Sequence, residues 1–199
     1  IEDENLLSFY SGLTFDSLDS PYYPTSGVYF NGMFNFYFAN LDGDITVEDF
    51  SIVKGNAGNY FPIFNNVTAH VNSEIGFRVG SENLNGLNFF LGGYGNQTIN
   101  NFRPFYGYDF FTLSAQSYIK GLVEIDYNFY EKNHIILSAN YANVDEDIFS
   151  TGKWFSLPDF TGYAVGLGCD TALGPVDIKY AYSPEVEDNL FYFSLGYRF

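Results

Sequence analysis

TAHVNSEIGFRV, residues 68–79, alternates without a break: Ala69, Val71, Ser73, Ile75, Phe77 and Val79 fall at period two, with His70, Asn72, Glu74, Gly76 and Arg78 between them. Successive side chains of a β-strand point to opposite faces, so the stretch reads as a strand with one mainly apolar face and one polar face. The same pattern returns on either side of it. VYFNGMFNFYFAN (28–40) sets Val28, Phe30, Phe34, Phe36 and Phe38 against Tyr29, Asn31, Met33, Asn35 and Tyr37. YIKGLVEIDYNFY (118–130) sets Ile119, Val123, Ile125, Tyr127 and Phe129 against Lys120, Glu124, Asp126 and Asn128. LLSFYSGLTFD, FSIVKGNAGNYF (where alternation is weak), HIILSANYANV, GYAVGLGCDTAL, VDIKYAY and the closing NLFYFSLGYRF bring the strand-like segments to nine. Each has about the ten residues that a tilted strand needs to cross a bilayer.

Composition asks for that environment. The 199 residues have length for one domain, 1–199, with no separate soluble domain, and 21% of them are aromatic, more than an ordinary soluble core uses. A soluble sandwich would carry Lys, Glu and Thr on its outer faces. Here the polar faces hold Asn, Ser, Gly and Tyr, and the apolar faces end in Tyr or Phe, as the aromatic girdles of a membrane barrel do. No run of 18 apolar residues exists, which excludes a transmembrane helix, and no leader-like start is present, so any signal peptide is expected to have been removed. The lone Cys169 excludes an internal disulfide, and a formal charge of −16 excludes nucleic acid as a partner. The reading is all-β: an antiparallel transmembrane β-barrel.

Connection lengths give an orientation. PIFNN, YEKN and ALGP are short, whereas residues 80–111 and 145–160 are long, and short and long alternate along the chain. Outer-membrane barrels keep short turns in the periplasm and long loops outside. The outer set, with LDGDITVED and SPEVED, then carries about half of the acids and only Arg103 and Lys153 as bases, so the charge lies away from lipid. Residues 80–111 also hold Phe89, Phe90, Leu91, Phe102, Phe105 and Tyr108, an apolar load that predicts a loop folded partly inward.

FDSLDSPYYPTSG resembles the D-x-x-x-x-P-Y-x-P-T-x-G turn of the superfamily of outer-membrane assembly and secretion barrels; its matching residues are Asp16, Pro21, Tyr22, Pro24 and Gly27. FPIFNN, FLGGYGNQTINNFRPFYGY, KGLVEIDYNFY, ALGPVDIKYAYSP and the final LGYRF continue the resemblance in the family's order over nearly the whole chain. The resemblance implies a Gram-negative outer membrane, outer-membrane lipid as surroundings, and the barrel-assembly machinery as a partner during biogenesis, which would read Leu195, Tyr197 and Phe199 as a folding signal. A homo-oligomer or larger membrane complex is compatible with it. The family's long loop has a V-R-G-F/Y tetrad whose Arg reaches into the lumen; here Phe105, Tyr106, Gly107 and Tyr108 keep the Gly-aromatic pair without the adjacent Arg, and Arg103 is the candidate replacement. No POTRA modules precede the barrel in this sequence, and its relaxed long loop is similar to that of the barrels fused to patatin-type phospholipases.

Catalytic signatures are missing: no G-x-S-x-G elbow, P-loop or C-x-x-C pair occurs. His70, Glu74 and Arg78 recur at steps of four on one strand face, roughly 13 Å apart by strand rise, which predicts an interior polar network with neighbouring strands rather than a site of their own. Asn40, Asp42, Asp44 and Glu48 are spaced like cation ligands, but their glycine stands at the wrong position for an EF-hand. The expectation is therefore a barrel without enzymatic activity, metal or cofactor, acting as an anchor or structural barrel; the alternative is a translocation or insertion element with a gated seam between first and last strands. Even-stranded barrels keep both termini inside. Nine segments break that rule, so eight closing strands are favoured, over the C-terminal part of a wider barrel of about 16.

Overall fold

A computed structural model describes residues 6–40, 49–80, 88–94 and 101–196. The cation-ligand candidates Asp42, Asp44 and Glu48, and the terminal Tyr197 and Phe199, lie outside the described residues. Nine long strands form one sheet: β1 (Leu6–Asp16), β2 (Gly27–Asn40), β3 (Phe50–Phe64), β4 (Val67–Gly80), β8 (Ser117–Tyr130), β9 (Asn133–Asp145), β10 (Phe160–Thr171), β11 (Gly174–Ser183) and β12 (Asp188–Leu195), in that spatial order. Every neighbouring pair is antiparallel. Three short strands, β5 (Phe89–Leu91), β6 (Phe102–Arg103) and β7 (Leu113–Ala115), make a second sheet of order β6-β5-β7.

The strand count corrects the sequence reading. The first segment is a full member of the wall, paired with β2 from Leu6↔Asn40 to Asp16↔Tyr29, so nine strands rather than eight make the sheet. Among the described residues no ladder joins β1 to β12. The preference for eight came from the rule that even-stranded barrels keep both termini inside; the sheet nonetheless has nine strands, and residues from the chain between β4 and β8 pack against its inner face.

Alternation sorts the two faces. Outward stand Phe9, Leu13, Phe30, Leu137, Leu167, Ile178 and Phe193, all exposed, and Phe191 at 77%. Each such side chain forgoes about 1.5–3 kcal/mol that burial would supply, so a belt of them is stable only against an apolar solvent. Inward from β4 stand His70, Asn72, Glu74 and Arg78, all buried, while Val71 and Val79 face out. The weakly alternating β3 turns Phe50, Ile52 and Lys54 inward.

Candidate functional site

The segment between β4 and β8 doubles back inside the curve of the sheet. Phe89, Leu91, Phe105, Tyr108 and Leu113 pack with Phe50 and Ile52 of β3, Tyr118 of β8 and Ala142 of β9 in one apolar cluster at the loop end of the lumen. Rings meet edge to face here, Phe89 on Tyr118 at 5.0 Å and Tyr108 on Phe160 at 6.0 Å, a favoured aromatic geometry. The described part of the long loop thus lies partly inward: Phe89, Leu91, Phe102, Phe105 and Tyr108 leave water, while Phe110 and Phe111 stay exposed.

Beneath this layer the loop is held by charge. Glu74, opposite Lys120 in the β4–β8 register, accepts from Lys120 Nζ at 2.8 Å and pairs with Arg103 Nε at 2.5 Å. Arg103 Nε also lies 2.9 Å from the Tyr118 hydroxyl. One step lower, Tyr60, His70, Glu124 and Ser138 occupy a single cross-strand row. Glu124 lies 3.1 Å from His70 Nδ1, accepts from Ser138 Oγ at 2.6 Å and from Lys179 Nζ at 3.2 Å. Lys179 in turn donates to the Tyr106 hydroxyl at 2.7 Å, tying the loop to β11. On the other side Lys54 Nζ donates to Asn101 Oδ1 at 2.9 Å. Lys54, Arg78, Arg103, Lys120 and Lys179 are all inside, five of the eight bases of a very acidic chain. Burying cations at such a cost is sustained by pairing, and for Lys54, Arg103, Lys120 and Lys179 the partners are the wall carboxylates and the loop.

The retained Gly-aromatic pair docks backbone to backbone. Gly107 has φ 83°, which a side-chain-bearing residue resists, and a Cβ on it would lie 2.8 Å from the Tyr182 carbonyl and Ser183 nitrogen of β11. Gly162 of β10 faces it from the wall, where a Cβ would overlap the Tyr106 carbonyl oxygen. Tyr106 N donates to Asn140 Oδ1 at 2.7 Å, the Tyr108 hydroxyl donates to Glu185 at 3.2 Å, and Tyr192 donates to the Tyr108 carbonyl at 3.2 Å. Arg103 and the Gly107–Tyr108 pair therefore reach different parts of the wall, β4–β8 and β10–β12. Arg78 sits on the same inner face as His70 and Glu74, its backbone N–H bonded to Gln116. The structure brings His70 and Glu74 to two separate carboxylate centres instead of one.

From the opposite end the β1–β2 turn also enters the lumen. Asp16 accepts from Leu18 N at 2.8 Å. Asp19 accepts from the Thr25 hydroxyl, from Thr25 N at 2.9 Å and from Ser26 N at 3.2 Å, and the Thr25 hydroxyl is the main reason its carboxyl is held down at about 2. Pro21 and Pro24 restrict the turn, and Gly27 takes φ 118°. Between the prolines, Tyr23 adopts φ 46°, a left-handed conformation costing of order 1–3 kcal/mol for a non-glycine residue. Its ring stacks on His134 at 4.1 Å and its hydroxyl donates to Asp177 Oδ1 at 2.9 Å, contacts that offset the strain. Tyr94 of the inward loop donates to Asp177 Oδ2 at 3.2 Å, so loop and turn meet on one β11 carboxylate. A cavity of about 470 Å³ remains between them, lined by Tyr22, Tyr23, Tyr60, His70 and Tyr94 among others.

Sequence reasoning missed Asp19, Tyr23 and Lys179. Asp19 had a readable signal in the Asp before a Pro/Thr-rich turn; Tyr23 and Lys179 act across the lumen, which no local pattern encodes. Leu195 ends β12 with its side chain outward. Among the described residues no group of three or more His, Cys, Asp or Glu could hold a metal ion.

Residues 1–199 match the family model described as the OMP85 superfamily. Among solved structures, the fold is similar to the crystal structure of BamA from Haemophilus ducreyi lacking POTRA domains 1-3, with a TM-score of 0.68 and 14% identity over 94% of this chain and 41% of that one. The chain thus spans about two-fifths of the length of that structure. No curated protein matches it.

Proposed function

We propose that this chain, which belongs to the OMP85 superfamily, is a wall of a Gram-negative outer-membrane barrel that acts as an anchor or structural barrel, its interior held shut by its own loop and without catalysis of its own. The observation that carries this reading is the clamp: Arg103 on Glu74, and Tyr106 on the Lys179–Glu124 pair, beneath an apolar cluster. These ionisable groups satisfy one another, which favours a structural role over chemistry on a substrate. Lipid is the partner of the outward belt. During biogenesis the barrel-assembly machinery would read the strand ending in Leu195, Tyr197 and Phe199.

The nine strands are proposed to be an arc of a wider barrel. Support comes from β1 and β12, whose outer edges carry no ladder among the described residues, and from β1, exposed on both faces. Unpaired backbone groups are not tolerated in hydrocarbon, so further wall must cover these edges in the membrane, alone or in a larger complex. The same edges favour a second reading, a translocation or insertion element whose seam opens for a client.

Ion conductance of the purified protein in planar bilayers tests the first reading. Wild type is expected to be nearly silent, and deletion of residues 88–111 to open a conducting path. A large, steady wild-type conductance overturns the clamp, and accelerated insertion of a client barrel into vesicles favours the second reading.

A further inference from the structure

The connection between β9 and β10 does not rise into solvent; it folds down over the outside of the wall. Three anchors hold it there. Ile148 N donates to Ser117 Oγ at 2.9 Å, and the Ile148 side chain is fully buried. Phe149 meets Phe77, an outward residue of β4, edge to face at 5.0 Å. Asn143, paired with outward-facing Ile119, is nevertheless buried, because it donates to the Lys153 carbonyl at 2.8 Å and to Ser156 Oγ at 3.1 Å and accepts from Asp159 N at 2.6 Å. A polar side chain on the lipid-facing side of a strand is expensive unless it is satisfied, and here the loop satisfies it.

What the loop then presents is apolar. Phe155, the last residue of the 3-10 turn Lys153–Phe155, is 85% exposed, and Leu157 just beyond it 88%. The Lys153 ammonium, which its bond to Asp159 pushes above its ordinary pKa, is engaged by Asp159 at 2.8 Å and Asp145 at 3.7 Å. The chemistry offered outward is thus hydrocarbon rather than a free cation for headgroups. Between loop and wall lies a groove of about 430 Å³ lined by Ser73, Ile119, Gly121, Tyr141, Trp154 and Pro158 among others. Ser73, Gly121 and Tyr141 stand in one outward row, four residues in from the row of Phe77, Ser117 and Asp145 where the loop is pinned, so the groove opens onto the belt itself.

We infer that residues 146–159 form a lipid-binding cuff: Phe155 and Leu157 insert among the acyl chains of the outer leaflet, and one chain lies in the groove under Trp154. The occupant is a lipid chain because the groove is continuous with the outward belt and its floor of Ser73 and Gly121 leaves a furrow between larger outward neighbours. Trp at the boundary of a bilayer has one apolar body and one polar edge to match. The inference rests on the proposed membrane reading of that belt.

Trp154 is the only tryptophan in the chain, which makes it a reporter without further labelling. In vesicles with acyl chains brominated near their headgroup end, its fluorescence is expected to fall about two-fold against unbrominated lipid, with little quenching by aqueous iodide, as for an interfacial Trp. The double variant Phe155→Ser/Leu157→Ser, altered only at exposed positions, should lose about half of that quenching while the wall keeps its β-sheet circular dichroism. Iodide quenching without bromine quenching would place the loop in water and overturn the inference. A blue-shifted, bromine-insensitive emission that depends on protein concentration would assign the patch to a second copy, and equally overturn it. A Trp154→Phe/Leu137→Trp reporter on the mid-belt, read in vesicles whose acyl chains are brominated near their methyl end, separates the two levels. If it is quenched while Trp154 is not, only the cuff fails; if neither is quenched, the membrane reading fails with it.

Discussion

The wall from β4 to β11 and the arm of β1 and β2 share the same alternating design but have different interiors. On the wall, inward Glu74, Asn140, Lys120 and Lys179 are buried and partnered. On the arm, inward Tyr10 is 62% exposed, and Asn31 and Thr14 meet each other at 3.2 Å in the open. Strand periodicity is equal in both; what differs is a second layer. The inward loop covers the wall and converts its polar face into a network of ion pairs, whereas on the arm Tyr29 and Tyr37 of β2 still lean onto the wall and the inner face of β1 stays open. A polar strand face is therefore no guide to burial until the layer that packs against it is known.

That contrast can be broken most severely at Glu74. Glu74→Leu leaves Lys120 and Arg103 buried without their carboxylate, and the expected cost is about 3–5 kcal/mol, against no more than about 0.5 kcal/mol for Asn31→Ala on the arm. Denaturant unfolding of the two variants in lipid checks it; similar midpoints would mean that the wall network holds nothing. Glycine substitutions sharpen the same point at a smaller scale. Gly162→Ala drives a methyl into the Tyr106 carbonyl and should cost about 1–3 kcal/mol and expose the loop to protease. Gly32→Ala on β2 meets only the movable rim of Phe30 at 3.0 Å and should leave protease resistance unchanged.

Tyr23 joins the two regions, since it leaves the β1–β2 turn for β11. Tyr23→Phe removes the hydrogen bond to Asp177 but keeps the stack on His134, and is expected to cost about 1 kcal/mol. The smallest effect is a titration. Asp19 has its pKa depressed from 3.8 to about 2, so its contribution to the turn is complete above 3.8 and is lost as pH falls through about 2. The Thr25 amide resonance should therefore hold steady on acidification to pH 4 and move only near pH 2, and in Asp19→Asn it should show no such step.

How much of this was legible in sequence follows from the range of each interaction. The faces of β4 were readable because His70, Asn72, Glu74 and Arg78 alternate with larger apolar residues. β3 was blurred because Gly55, Asn56, Ala57 and Gly58 are small on both faces, and one of them, Gly58, is covered by the Tyr29 ring from β2. The strand count misled because nothing in a period of two reports closure, which depends on register and tilt around the whole sheet. The small inner face of β10, with Gly162, Ala164, Gly166 and Gly168, looked featureless until the loop, the Lys179 stem and the Tyr23 ring were seen to lie on it. Likewise the β9–β10 connection read as a solvent loop because its acids are plain in the sequence, while the outward Asn143 that pins it to the wall resembles any other polar residue of an alternating strand.

Hydrogen exchange of the membrane-embedded protein at the loop backbone tests the central claim most directly. Phe105 N is bonded to the Gly92 and Gly93 carbonyls and Tyr106 N to Asn140, both behind the ion pairs. Their amides should exchange as slowly as those of β4 and β8 and far more slowly than the outer edge of β1. Complete exchange of residues 102–108 as fast as that edge would contradict a lumen held shut by its own loop.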